Sequence, residues 1–354
     1  MINKSNIRLI VGLVATYMGS IIGAGFASGQ EILQFFILFG YKGLLGVMVA
    51  TVFFVYFGAL ILHLSVQLRT GNYQELLGYL LGPWAGKFMD FISIFMLVAG
   101  LGIMLSGTGA VVKEYLGLPE WMGIGSAVLV IFLVILRGLK GLLSINIILV
   151  PLKLAAVCLI ASLALGHKGL PQELPYVHYH GVGGHWLLAS ILYVSFNMIV
   201  PLAVLSTMGR SVTAKTGIWA GIIGGIGLGF AVAMVTLGGL AFYPEIINYE
   251  VPLLYMASCM GNILKPVFAL LIWVAMLTTA IANAHGFASR FAPQGGKLYS
   301  FYGMAGCLIV LPLTYFDFSF LVRVLYPIFG YAGLVLFAAL LIVPIIKTRK
   351  QRIS

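Results

Sequence analysis

The stretch Met18–Glu31 carries the residues best suited to bind a charged ligand within an apolar segment. Its sequence, MGSIIGAGFASGQE, places glycines at positions 19, 23, 25 and 29. A glycine in a helix interior costs about 1 kcal/mol relative to alanine, so glycines at this density weaken a helix. An interrupted helix offers free backbone amides and carbonyls, which coordinate an ion or a charged substrate group. The alternative interpretation is a face of small residues for close packing between helices.

Two charged residues lie within or beside long apolar runs. Glu31 follows the glycine-rich stretch, where a carboxylate can bind an ammonium group, carry a proton or cap a half-helix. The alternative is a favourable charge at a helix N-terminus near the outer surface. Lys153 lies inside the apolar run Leu149–Ala155. An ammonium group at such depth must pair, face a watery cavity or lose its proton, so Lys153 is either a titrating group or a fixed charge that binds free carbonyls.

A hydroxyl pair stands in another apolar run. Thr278 and Thr279 follow Ala275 by about one helical turn. Hydroxyl and carbonyl oxygens suit a hard cation such as Na⁺, and carbonyls from an interrupted first helix would complete its coordination shell. The alternative is that both threonines bond the preceding turn of their own helix.

The segment Leu192–Pro201 is the best candidate for a second interrupted helix. Ser195 and Asn197 place polar groups at mid-depth, where they need partners. Pro201 lacks the N–H that would bond the carbonyl one turn earlier. The alternative is an ordinary proline kink with serine bonding its own helix.

Composition identifies the chain as a polytopic membrane protein with a single membrane domain, residues 1–354. It is 61% apolar and only 8% charged, against about 25% charged residues in soluble domains. Windows of about 20 apolar residues define ten segments, near residues 8–39, 43–67, 86–113, 122–137, 143–166, 186–209, 214–243, 263–291, 298–316 and 320–346. The first is over-long, as an interrupted helix would be.

Charge distribution predicts the topology. With the N-terminus in the cytoplasm, most lysines and arginines fall in cytoplasmic loops, as the positive-inside rule requires. We therefore expect an orientation in the cytoplasmic membrane with both termini cytoplasmic. This orientation accounts for the net charge of +11, which does not indicate nucleic-acid binding. The expected partners are a small-molecule substrate and the lipid bilayer.

Two connections have helical patterns, and they suggest an internal repeat. Asn72–Leu81 begins with a capping residue and has an apolar face, and residues 244–261 predict one or two short helices. Each follows the second segment of a five-segment block. We therefore expect two inverted repeats, residues 8–166 and 186–346.

The sequence argues against an enzyme. It has no GxxxxGK[ST] loop, so it lacks the nucleotide-binding motif that an ATP-driven pump requires. Apart from Glu31, its acidic residues lie at or near the predicted interfaces, and no paired carboxylates or serine–histidine dyad of a hydrolase is evident. No organic cofactor is expected.

The string Ile21–Phe26, IIGAGF, resembles the first-helix break of the amino acid–polyamine–organocation superfamily, whose members have the LeuT fold. The resemblance implies ten transmembrane helices in two inverted repeats, with helices 1 and 6 discontinuous. It also implies a substrate site formed by the two breaks. With Glu31 added, the expected site residues are Gly23, Ala24, Gly25, Phe26, Glu31, Tyr193, Ser195, Phe196 and Asn197.

The same resemblance gives two conflicting indications about the coupling ion. Ala275, Thr278 and Thr279 resemble the eighth-helix pattern of sodium-coupled members, whose Na⁺ site also takes first-helix carbonyls, here at Gly19 and Ile22. In contrast, Asn146 followed by Lys153 resembles proton-coupled or uncoupled members, in which the lysine occupies the sodium position.

The full string GSIIGAGFASGQEI also resembles bacterial YkvI-type membrane proteins. The sequence thus predicts a secondary active transporter that moves a small amino acid, zwitterion or amine by alternating access. Coupling to Na⁺ is slightly favoured. The alternatives are proton-coupled or uncoupled transport that uses Lys153, or a membrane ligand sensor without transport.

Overall fold

The structure is a computed structural model that describes residues 4–137, 142–171, 173 and 181–353. Side chains are described for residues 7–82, 86–136, 148–171, 173 and 181–346. Within these ranges the protein is helical and contains no strand. The all-α fold predicted from the sequence is confirmed.

The first half of the chain forms seven α-helices, two of them short. They are α1 Lys4–Ile21, α2 Ala24–Ser28, α3 Gln30–Phe35, α4 Tyr41–Gln67, α5 Tyr73–Leu116, α6 Glu120–Arg137 and α7 Leu142–Lys168. Helix α5 changes direction at Gly82, whose φ of 74° lies in the region that favours glycine. The part of α5 that precedes Gly82 is the loop helix predicted from the sequence. It begins after Asn72, whose side chain accepts a hydrogen bond from the Glu75 N–H at 3.0 Å.

The second half also forms seven α-helices. They are α8 Trp186–Asn197, α9 Ile199–Leu205, α10 Ala214–Ala241, α11 Pro252–Met260, α12 Leu264–Phe291, α13 Gly296–Val310 and α14 Phe318–Ile353. The short helix α11 and the 3₁₀ turn Glu245–Asn248 lie in the connection for which the sequence predicts short helices.

Among the described residues, eight helical stretches are long and apolar enough to cross a membrane. The apolar helix Glu120–Leu136 is shorter, and so are the two parts of the first segment, Ile7–Ile21 and Gln30–Phe39. Together these stretches are consistent with ten crossings, the first of which is interrupted.

Small residues bring the helices into close contact. Helix α4 packs along α10, α5 along α12, and α14 along α8. A Cβ on Gly221 of α10 would lie 2.3 Å from the Ala59 backbone nitrogen, and one on Gly333 of α14 would lie 2.5 Å from the Ser195 carbonyl oxygen. Only glycine permits such backbone approach, as is typical of helix contacts within membranes.

Candidate functional site

The first segment is interrupted at Ile22 and Gly23, between α1 and α2. The Gly23 N–H donates to the Ile21 carbonyl at 2.7 Å, so it does not continue the helical ladder to Gly19. Gly23 itself is extended, with φ −86° and ψ −166°. The interruption leaves backbone groups available for other partners, as the glycine density of the sequence predicts.

A second irregular position follows six residues later, at Gly29. Its φ of 83° is left-handed, which explains the glycine there, and it separates α2 from α3. Helix α3 then begins with Gln30 and Glu31, so Glu31 lies in its first turn. Glu31 is 4% exposed, and its carboxylate is therefore buried inside the protein.

The Glu31 carboxylate lies directly over Gly25. A Cβ placed on Gly25 would be 2.7 Å from Glu31 Oε2 and 2.6 Å from the Tyr326 hydroxyl. Both polar groups therefore converge on the backbone beside the interruption. Tyr326 comes from α14, far along the chain, and this residue was not singled out by the sequence.

Asn197 connects this carboxylate to the sixth segment. Its Nδ2 donates to Glu31 Oε1 at 3.1 Å and to the Tyr193 carbonyl at 3.0 Å. Asn197 is the last residue of α8, and the helix resumes as α9 at Ile199. The predicted discontinuity is present, but it is smaller than the first: Met198 keeps near-helical angles, φ −83° and ψ −9°.

An aromatic cluster surrounds the Glu31–Asn197 contact. The ring of Phe196 lies 5.1 Å from that of Tyr326 and 5.6 Å from that of Tyr193, centroid to centroid. Tyr193 is fully buried, and its hydroxyl lies within reach of the Glu31 carboxylate. A ligand that enters this cluster would therefore meet the tyrosine hydroxyl and the carboxylate together.

A cavity of about 350 Å³ leads to this cluster between α5, α9, α12 and α14. Phe196 and Tyr326 line it, and so do Asn283 and Thr279. Its other end carries Tyr73 and Arg290. Most of its wall is apolar; the remaining lining residues include Met89, Met96, Leu97, Met104, Ile199, Leu202, Phe329 and Leu336.

Tyr73, Asp90 and Arg290 form a polar cluster at this other end. Arg290 Nη1 donates to Asp90 Oδ1, to which the Tyr73 hydroxyl also donates, and Arg290 Nη2 reaches that hydroxyl at 3.3 Å. The cluster ties the first part of α5 to its second part and to α12. It is positioned to hold the end of the cavity in one shape.

Lys153 reaches the interruption from α7. It is 3% exposed, and its Nζ donates to the Ile22 carbonyl at 3.2 Å. Val150, one turn earlier, packs against Gly19, where a Cβ would lie 3.0 Å from Val150 Cγ1. Lys153 therefore uses one of the two first-helix carbonyls predicted for Na⁺. The side chain of Asn146 lies outside the described residues.

The two threonines bond their own helix. The hydroxyls of Thr278 and Thr279 donate to the Ala275 carbonyl at 3.0 and 2.9 Å. Helix α12 nevertheless contacts both α2 and α7. The helices that carry the two predicted coupling sites therefore pack against one another.

The other predicted site residues lie near the interruption without polar contacts to it. Ala24 and Phe26 are buried at 1% and 0% exposure as part of the core. Ser195 donates to the Ile191 carbonyl at 2.7 Å, so its hydroxyl bonds its own helix. Of the sixth-segment residues, Asn197 makes the polar contact to Glu31, and Tyr193 and Phe196 supply the aromatic surroundings.

Two bacterial proteins resemble the chain over nearly its whole length. Uncharacterized protein YyaD of Bacillus subtilis is 31% identical over 356 residues, which cover 94% of this chain and 96% of the relative. Uncharacterized membrane protein YkvI of Bacillus subtilis is 28% identical over 334 residues, covering 93% and 94%. No protein-family model matches the sequence.

Solved structures resemble the fold at low sequence identity. Mutant structures of a manganese transporter of Eremococcus coleocola give a TM-score of 0.58 at 14–15% identity, covering 96% of this chain and 80% of the other. An inward-facing conformation of Mhp1 gives a TM-score of 0.58 at 12% identity, covering 91% and 72%. The fold is therefore the LeuT fold expected from the Ile21–Phe26 motif.

Proposed function

Because the chain belongs to the family of membrane proteins that includes YyaD and YkvI of Bacillus subtilis, and because it has the LeuT fold, we propose that it is a secondary transporter. Its substrate is a small molecule with an ammonium group, either an amino acid or a related amine. Transport proceeds by alternating access, with the two five-helix blocks acting as inverted repeats.

The buried contact between Glu31 and Asn197 is the observation that carries this proposal. A carboxylate at membrane depth is costly unless it has a partner or a function, and Asn197 Nδ2 supplies only one neutral hydrogen bond. The second oxygen, Oε2, lies over Gly25 next to the Tyr326 hydroxyl. An ammonium group at this position would pair with the carboxylate and donate further hydrogen bonds to the oxygens of the two tyrosine hydroxyls.

The neighbouring cavity accounts for the rest of the substrate. Its volume of about 350 Å³ suits a small organic molecule, and its apolar wall suits a hydrocarbon side chain. Phe196 and Tyr326 lie between the cavity and Glu31, so access requires these two rings to separate. Movement of α9 and α14 relative to α5 and α12 would open that path, and this movement is the inner gating step of the proposal.

The coupling step of the proposal uses Lys153. Its Nζ already contacts the Ile22 carbonyl, which a Na⁺ ion at the predicted site would need. A lysine at this position supplies a fixed or titrating positive charge, which gives sodium-independent transport. Na⁺ coupling through Ala275, Thr278 and Thr279 stays a prediction from the sequence, and it is the competing outcome of the test.

The test is the thermal stability of the purified protein against a panel of amino acids and amines. Each ligand is added in NaCl and in KCl, at two pH values. We expect an ammonium-bearing ligand to raise the unfolding temperature equally in both salts. Stabilisation only in NaCl would instead indicate Na⁺ coupling at the site formed by Ala275, Thr278 and Thr279. Stabilisation by anions or neutral sugars, but by no ammonium compound, would contradict the proposed substrate class.

A further inference from the structure

A lipid-facing groove of about 550 Å³ lies between α4 and α10. One wall is a stripe on one face of α4, where residues three and four apart lie side by side. The stripe consists of Val52, Val55, Tyr56, Ala59, Leu60 and His63. The other wall is Ile218 and Ile222 of α10. The groove is apolar along its length, with the His63 imidazole at one end; its Nδ1 has no hydrogen-bond partner within the described residues.

The His63 end of the groove leads to basic residues. Val66 continues the α4 stripe by one turn, and it lines a polar pocket together with Arg69 and Arg210. On α10, Lys215 precedes Ile218 by three residues, so it extends the same helix face toward this pocket. The groove thus leads to a pocket that is lined by two guanidinium groups, with Lys215 on the adjoining turn of α10.

Two hydrogen bonds, one of them buried, hold the chain around the two arginines. Thr70 is 1% exposed, and its hydroxyl donates to the Ser206 carbonyl at 2.7 Å, which ties the loop after α4 to the loop after α9. Arg210 Nε donates to the Arg69 carbonyl at 3.0 Å. The remaining N–H groups of Arg210 therefore project from an ordered position.

The pocket has a positive balance. Glu75 also lines it, but its carboxylate accepts from the Gly71 N–H at 2.9 Å and from Asn72 Nδ2 at 2.8 Å. Across the described part of the chain, neither Arg69 nor Arg210 forms an ion pair with a carboxylate. Two guanidinium groups without an anionic partner therefore stand at the end of a hydrocarbon-lined groove.

We propose that this groove and pocket form a binding site for one anionic phospholipid. Its phosphate contacts Arg69 and Arg210, and an acyl chain lies between α4 and α10 along the groove. Guanidinium groups match phosphate oxygens in charge and geometry, and basic pockets between membrane helices are suited to anionic head groups. A phosphatidylcholine would bring its own positive charge to the same place, so the site distinguishes lipids by head group.

Membrane topology alone explains why basic residues lie on the predicted cytoplasmic side, but it does not explain how they are arranged there. The positive-inside rule requires basic residues near the ends of segments, and Arg8 and Lys297 satisfy it on the same predicted side without lining the groove or the pocket. Arg69 and Arg210 differ because both line one pocket beyond the end of the groove. This proposal does not depend on the transport function.

The test compares three proteins in detergent: wild type, R69Q/R210Q and the control R8Q/K297Q. The control removes the same charge from the same predicted face. Lipid retention is counted by native mass spectrometry while phosphatidylglycerol or phosphatidylcholine is titrated. We expect wild type and control to bind one phosphatidylglycerol in preference to phosphatidylcholine, and R69Q/R210Q to bind it on the order of tenfold more weakly.

A second variant tests the groove itself. Ile218→Trp fills the space between α4 and α10 while it leaves both arginines in place, so we expect it also to weaken phosphatidylglycerol binding. Equal retention of the two lipids by wild type would overturn the proposal. So would loss of phosphatidylglycerol in the control to the same extent as in R69Q/R210Q, because the effect would then be that of total charge. Should R69Q/R210Q fail to fold, R69Q alone serves, since the Arg69 side chain forms no ion pair among the described residues.

Discussion

Asn197 and Glu31 join the two discontinuous segments through one hydrogen bond of 3.1 Å, from Nδ2 to Oε1. The same Nδ2 also donates to the Tyr193 carbonyl in the last turn of α8. The carboxylate of the first segment is therefore oriented by the end of a helix in the sixth. A ligand that changes the position of Glu31 acts on both segments at once, which is the connection that alternating access requires.

Glu31→Gln should weaken binding of an ammonium ligand by roughly 100-fold, because removing one partner of a buried ion pair costs about 3 kcal/mol. Glutamine keeps the size of the side chain and can still accept from Asn197, so the fold should survive. Ligand titration by thermal shift measures the effect. Glu245→Gln is the matched control, since Glu245 is half-exposed and pairs with Lys168 at 3.8 Å away from the site. Equal affinity of Glu31→Gln and wild type for the ammonium ligand would show that Glu31 is not part of the proposed substrate site.

Two glycines of the interruption should respond differently to alanine. A Cβ at Gly25 would overlap Glu31 Oε2 and the Tyr326 hydroxyl, whereas one at Gly23 would meet only the Ile21 carbonyl oxygen at 3.9 Å. Overpacking of this kind costs about 1–3 kcal/mol. We expect Gly25→Ala to lose ligand binding and Gly23→Ala to retain it, both measured by thermal shift after a check of monodispersity. Loss in both variants would indicate that backbone flexibility, and not space, is the requirement.

Lys153→Met should lower both stability and transport. The methionine preserves the apolar stem but leaves the Ile22 carbonyl without its donor, which costs roughly 1–3 kcal/mol for a buried acceptor. Uptake into proteoliposomes should fall in both sodium and potassium media. If Lys153→Met instead gained a requirement for Na⁺, the ion would be replacing the lost ammonium group. Wild-type uptake that already requires Na⁺ would contradict the lysine-based coupling step.

Much of the geometry of the candidate site could be predicted because its signals are local. The density of glycines between Gly19 and Gly29 indicates the first interruption, and Glu31 and Asn197 stand out as polar residues in apolar runs. Tyr326 was missed, because a tyrosine in an apolar helix usually indicates membrane packing and its contact with Gly25 spans most of the chain. The second interruption is shallower than predicted, since Pro201 removes only one N–H and the chain stays near-helical at Met198.

Arg290 and Asp90 should control the end of the cavity that is remote from Glu31. Both are about one-third exposed, so their pairing contributes only about 1 kcal/mol to stability. Asp90→Asn should therefore change the unfolding temperature little. It should, however, loosen the contact of α5 with α12 and increase the accessibility of a cysteine introduced at Ala203, which lines the cavity. Thiol-labelling rates measure this, and Lys297→Gln is a control on the same predicted face. Unchanged labelling would show that the cluster does not restrict the cavity.

Glu250 should make stability depend on pH. This residue lies in the connection before α11, and burial, followed by the nearby Glu120 and Asp317 carboxylates, raises its pKa, while the hydrogen bond from the Phe318 N–H and the Lys113 ammonium act in the opposite direction. Because the folded protein holds this proton more tightly than the unfolded chain, the contribution favours folding at low pH and is lost as pH rises above the ordinary value of 4.5.

Glu250→Gln tests this dependence through unfolding temperatures. The variant should lose less stability than wild type as the pH rises above 4.5. Glu245→Gln again serves as the control, because Glu245 is more exposed. Parallel pH profiles for wild type and Glu250→Gln would assign the dependence to other groups.

Counterflow in liposomes tests the central proposal most directly. Vesicles that contain the protein are loaded with an unlabelled ammonium ligand that stabilises it, and a trace of labelled ligand is added outside, without Na⁺ on either side. We predict that wild type accumulates the label above its equilibrium level and that Glu31→Gln does not. A ligand that stabilises the purified protein but produces no counterflow would contradict transport and identify a membrane protein that only binds its ligand.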